Sequence, residues 1–101
     1  MKNFKTYQLA VSFYRHTQAL KTVGHLKEQL GRAASSIVLN LAEGSGRQSQ
    51  KDQARFFQIA FGSLRECQAI LELAELQANP AWALLDSLAA HLYRLIQNAA
   101  G

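Results

Sequence analysis

Three carboxylates, Glu43, Asp52 and Glu66, lie among residues where paired acids would do general acid–base work. That chemistry needs a pocket, and nothing around them in the sequence implies one. A di-metal site built into a helical bundle needs Glu three residues ahead of His on one helix face. The residues three before His16, His25 and His91 are Phe13, Thr22 and Leu88, so the motif is absent and no metal or cofactor is expected. The histidines are scattered and are expected to be exposed helix residues. Ser35, Ser36 and Ser63 have no histidine at a recognisable spacing. The single Cys67 falls in an apolar stripe, where a small buried hydrophobe is the expectation and a nucleophile is not. No catalytic residue is assigned, and the residues argue against an enzyme.

The stretch LAEGSGRQSQKD, residues 41–52, raises phosphate binding instead. It lacks the order of a nucleotide P-loop and follows a helical segment, not a strand. A looser anion site stays open, because Arg47 and Lys51 meet free amides at a helix start. The other reading is that Arg47 pairs with a carboxylate at the end of the bundle. Gly44 stands where a left-handed helix cap is expected. Ser49 precedes Asp52 by three residues, a capping-box-like helix start.

A polar stripe, Arg32, Ser36, Asn40 and Glu43, runs along the preceding helix at spacings of 4, 4 and 3, roughly opposite its apolar face. Glu66 sits in an otherwise apolar seam, so it should be partly buried and should need a cation; Arg32 or Arg47 would serve. With Gly44, these residues form an expected structural network.

Cations are distributed unevenly. Residues 1–65 hold ten Lys and Arg against three acids, net +7, whereas residues 66–101 hold one Arg against four acids, net −3. Such an asymmetry suits an anionic partner or head-to-tail contact between copies. Lys5, Arg15, Lys21, Lys27, Arg47, Lys51, Arg55 and Arg65 are the candidate nucleic-acid contacts, able to meet phosphates with little sequence preference. No zinc finger, RNP sequence or GXXG loop accompanies them.

The elements that must position these groups are helices. Ala, Leu and Gln dominate, with one proline and six glycines, and 49% of the residues are apolar. Spacing predicts helices over about 4–20, 25–43, 50–78 and 80–98, with joints at Lys21–Gly24, in the quoted loop, and at Asn79–Pro80, which is expected to end the third helix. In the second helix Leu26, Leu30, Ala33, Ile37 and Leu41 form one apolar stripe, and Gly31, Ala33 and Ala34 make a slim surface. The third carries two stripes, Phe57, Ala60, Leu64, Cys67, Leu71, Ala74 and Phe56, Ile59, Ser63, Glu66, Ile70, Leu73, more apolar arc than one partner helix needs. The expected fold is all-α, an antiparallel up-and-down four-helix bundle forming a single domain over 1–101. No run is long and apolar enough for a membrane span, and the first residues do not read as a signal peptide. The lone cysteine fits a reducing cytosol, so a cytoplasmic location is expected.

Residues 25–67 resemble the four-helix-bundle family of 23S ribosomal RNA intervening-sequence proteins. The resemblance rests on Gln29, Leu30, Arg32, Ala33, Ser36 and Ile37; on Asn40, Leu41, Ala42, Glu43, Gly44, Gly46 and Arg47; and on Ile59, Ala60, Gly62, Ser63, Leu64 and Glu66. Val38 departs from a proline frequent at that point, which should leave the second helix straighter. The resemblance implies a small bacterial bundle assembling as a homopentamer, with no catalytic residues. Some members are encoded within intervening sequences of 23S ribosomal RNA genes. A related branch, the accessory variability proteins of diversity-generating retroelements, binds a reverse transcriptase and nucleic acid. In a pentamer Gly62 and Ala69, on the outer face of the third helix, would be interface residues, and Arg55 and Arg65 could belong to either the interface or a nucleic-acid contact.

Together these features point to a non-enzymatic, basic, oligomeric bundle that binds RNA or another nucleic acid, with a ribonucleoprotein as one setting for it. The alternative is an interaction scaffold whose basic surface docks an acidic protein such as a polymerase or reverse transcriptase.

Overall fold

The computed structural model describes residues 4–21 and 23–100, and within these the side chains of 5–21 and 23–99. Four α-helices account for nearly all of them: α1 (Phe4–Ala19), α2 (Lys27–Ser45), α3 (Gln50–Leu73) and α4 (Pro80–Ala100). A single 3₁₀ turn, Gly24–Leu26, leads into α2, so the regular helix starts two residues later than the apolar spacing suggests. Consecutive helices pack side by side, and α4 returns against α1. The result is a helical bundle, 40 × 21 × 19 Å along its principal axes.

Each helix brings the face that its spacing marks. Ala10, Phe13 and Thr17 of α1 meet Leu30, Ala33, Ala34, Ile37 and Leu41 of α2 in one core. Phe57, Ala60, Leu64, Cys67 and Leu71 of α3, with Leu85, Leu88 and Leu92 of α4, complete it. Removal of these side chains from water is the main stabilising term, at about 25 cal/mol per Å² of apolar surface. Thr17 is buried without cost, because its hydroxyl donates to the Tyr14 carbonyl at 2.6 Å within its own helix. α2 runs unbroken through Val38, as expected where proline is missing.

Short-range chemistry sets most of the ends. Gly24 adopts a φ of +56°, a conformation open to glycine at little cost, and so turns the chain between α1 and α2. The Lys27 ammonium reaches back to the carbonyls of Gln18 and Leu20, at 3.3 and 3.1 Å, and satisfies the frayed end of α1. Ser49 caps α3, its hydroxyl accepting the Asp52 amide at 3.1 Å, as the Ser-x-x-Asp spacing requires. Asn79 does the same for α4 by accepting the Ala81 amide at 2.9 Å, with Pro80 in the first helical position.

Two of the expected ends are corrected. α3 stops at Leu73, not at Ala78, and Asn79–Pro80 starts α4 without ending α3. Its stop is a Schellman turn, in which the Leu76 amide bonds the Leu71 carbonyl and the Glu75 amide bonds that of Glu72. Glu75 takes the left-handed position at φ 57°, where glycine is usual, which is why the residue type does not announce the turn. Gly44 is not a left-handed cap either. It lies inside α2, which runs on to Ser45 and is capped by Gly46 at φ −86°.

Candidate nucleic-acid interface

Gly44 has a different task from capping. The beginning of α3 crosses so near the end of α2 that a Cβ there would lie 2.7 Å from Cε1 of Phe57 and 3.1 Å from Cβ of Phe56. This close approach brings Phe56, half-buried, beside Arg47 at the end of α2. The Arg47 guanidinium carbon lies 4.6 Å from the centre of the Phe56 ring, and that of Arg55 also lies at 4.6 Å. Each such contact contributes about 0.5–1 kcal/mol at an exposed site. Two cations on one ring repel, and Glu43 relieves this by pairing with Arg47 at 2.6 Å. Arg47 is therefore held from both sides at the end of the bundle, by Glu43 and by the Phe56 ring.

The polar stripe of α2 is not opposite the core. It lies on the flank of the α2–α3 contact, a third correction. There Ser63 donates to Ser36 at 2.8 Å, and Asn40 donates to both the hydroxyl and the carbonyl of Ser36. One turn further along, Arg32 pairs with Glu66 at 3.1 Å. Of the two cations that could have served Glu66, the fold selects Arg32, because Arg47 lies at the far end of α2, beside Glu43 and over Phe56. The expected network is thus two ion pairs separated by a serine–serine–asparagine hinge of hydrogen bonds, all joining α2 to itself or to α3.

Cys67, next to Glu66, is fully buried. Burial, with a smaller push from the Glu66 carboxylate, raises its thiol from 9.0 to about 12. It is a neutral core side chain, as its stripe position implies. His25 is exposed, whereas His16 and His91 are half-buried against expectation, and His91 Nδ1 lies 2.9 Å from the Ser87 carbonyl.

All eight candidate cations are exposed. Among the described residues, only Arg47 of the eight pairs with a carboxylate. Lys27 is engaged by the α1 carbonyls, and Arg65 lies over Phe61 at 5.6 Å. Lys5, Arg15 and Lys21 lie on α1 and its joint; Lys51, Arg55 and Arg65 follow one another along α3. Lys2, counted in the basic half, and Thr22, in the first joint, lie outside the described residues. Gly62 and Ala69 are exposed, and a Cβ on Gly62 would meet nothing within 4 Å, so this strip of α3 is open surface. Leu39 (66% exposed), Ile59 (44%), Leu73 (73%) and Tyr93 (56%) break the otherwise polar exterior. The second stripe of α3 is therefore only partly used by the bundle: Ile70 is buried, while Ile59 and Leu73 face out.

Sequence reasoning missed the Phe56 stack, because nothing in the spacing shows that two arginines nine and one residues away in sequence, Arg47 and Arg55, reach one ring.

Fold and surface together define a small basic helical bundle, its second and third helices joined by one ion pair and a serine–serine hydrogen bond, with most of its described cations outside ion pairs. The chain belongs to the 23S rRNA-intervening sequence protein family, whose model matches residues 4–98. No curated protein matches the chain, and no solved structure matches it.

Proposed function

We propose that the protein is a non-enzymatic basic bundle that binds RNA or another nucleic acid. The observation that carries this reading is the set of exposed cations, Lys5, Arg15, Lys21, Lys51, Arg55 and Arg65, that pair with no carboxylate among the described residues, on a chain of net charge +4. Charges of this kind release counterions from a phosphate backbone, and affinity then falls steeply with salt. The family's name refers to an intervening sequence of 23S rRNA, which makes RNA the first polyanion to test. In this reading the helices run antiparallel, up and down, an arrangement favoured by the short joints between neighbouring helices. The bundle needs no cofactor or metal, works in the cytoplasm, and assembles as a homopentamer whose contacts use the open strip at Gly62 and Ala69. Filter binding to RNA across a salt series tests the reading. The expected result is affinity above that of an unrelated basic protein of equal charge, with a steep salt slope; equal affinity overturns it.

The exposed Leu39, Ile59, Leu73 and Tyr93 favour a second reading, an interaction scaffold that docks an acidic protein such as a polymerase or reverse transcriptase. Partners that stay bound after nuclease treatment in a pull-down would select it over the first.

A further inference from the structure

Two hollows meet at the start of α3, where it passes the end of α4, sharing Gln50 and Ala99. The larger, about 720 Å³, is an open hollow walled by Lys51, Asp52, Arg55 and Gln58. The smaller, about 230 Å³, adds Gln53 and Asn98. Lys51 and Arg55 stand one helical turn apart on the same side of α3, so both reach one stretch of bound backbone. Among the described residues neither has a carboxylate within ion-pair distance. The Arg55 guanidinium carbon also lies 4.6 Å from the centre of the Phe56 ring, a contact that favours this placement of the side chain.

The remaining polar groups are of another kind. Gln50, Gln53, Gln58 and Asn98 are carboxamides, each with donors and an acceptor, and no hydrogen bond within the protein engages their side chains among the described residues. Cations hold phosphates, and carboxamides read the edges of bases. In an A-form duplex the base edges of the major groove are out of reach of side chains, whereas an unpaired strand presents them. Asp52 repels a phosphate, yet its carboxylate can accept from an exocyclic amine or a ribose hydroxyl.

We infer that this paired hollow is a subsite for an unpaired stretch of nucleic acid, with Lys51 and Arg55 on its phosphates and Gln50, Gln53, Gln58 and Asn98 facing its bases. It rests on the nucleic-acid reading above and narrows it to one end of the bundle and to single strands. The sequence singled out Lys51 and Arg55; their grouping with Gln50, Gln53, Gln58 and Asn98 emerges only from the fold.

Fluorescence anisotropy on the full chain tests it, using a labelled single-stranded RNA, the same sequence as a duplex, and the matching single-stranded DNA. The expected result is tighter binding of the single strand than of the duplex. Arg55→Gln and Lys51→Gln should each weaken single-strand binding about tenfold, against less than about threefold for Arg94→Gln on α4. Gln58→Ala should weaken it while leaving the salt slope unchanged, as for a base contact. Single-stranded RNA and DNA should both bind more tightly than the duplex, because the proposed contacts are to phosphates and base edges that the two share. Losses at Lys51 and Arg55 no larger than at Arg94 overturn the subsite and leave RNA binding standing, as does a preference for duplex. A wild-type chain that binds no probe beyond its charge-matched control removes both. Circular dichroism confirms folding, and a change of sedimentation coefficient in the Arg55 variant assigns the hollow to a subunit contact and overturns the subsite.

Discussion

Gly44 of α2 and Phe57 of α3 are packed so closely that a methyl group on the glycine would stand 2.7 Å from the ring. Gly44→Ala would gain about 1 kcal/mol of helix propensity. It would also force the buried Phe57 ring to move, and overpacking of this kind costs about 1–3 kcal/mol. The net expectation is destabilisation of up to about 2 kcal/mol in urea unfolding. A variant more stable than the parent would show that the ring yields freely and that the close approach is not needed.

The two cross-helix contacts on the α2–α3 flank should differ in worth. Arg32 and Glu66 have side chains 67% and 42% exposed, so Glu66→Gln is expected to cost under about 1 kcal/mol and less in high salt. Ser63→Ala removes a part-buried hydrogen bond to Ser36 and should cost about 0.5–1.5 kcal/mol regardless of salt. Chemical denaturation of both variants at low and high ionic strength separates them; salt sensitivity in the serine variant would contradict the assignment.

Glu75 occupies a left-handed position that disfavours side chains. Glu75→Gly should raise stability by about 0.5–1 kcal/mol, the left-handed strain relieved exceeding the extra chain entropy of glycine. In a domain of this size that corresponds to a rise of several degrees in Tm. A lowered Tm would place the Schellman turn elsewhere.

Cys67 supplies a pH dependence whose sign is fixed by burial. Its thiol ionises near 12 in the folded chain against 9.0 unexposed to such burial, so the unfolded state loses its proton first as pH rises. The contribution to stability is constant below about 9 and declines between about 9 and 12, by up to about 1.4 kcal/mol per pH unit. Other groups titrate there too, so the quantity to measure is the difference between the parent and Cys67→Ala. That difference should shrink as pH climbs through this window, and a constant difference would mean that the thiol is not desolvated. A thiol reagent should likewise modify Cys67 only at the rate of unfolding.

Helical periodicity in the sequence was sufficient to place four helices, their buried stripes and the serine cap of α3, because these depend on residue type at a spacing of three or four. The family motif was legible for the same reason, as fixed residue types in order. Where α3 ends was not, since the apolar pattern continues through Ala74 and Leu76 and a glutamate, not a glycine, makes the turn. Which cation meets Glu66, why Gly44 is small and how Arg47 and Arg55 come to share Phe56 were decided by the packing of α2 on α3. Those contacts join residues from different helices, and the distances that select among them exist only once the two axes have approached and the core beneath them has closed.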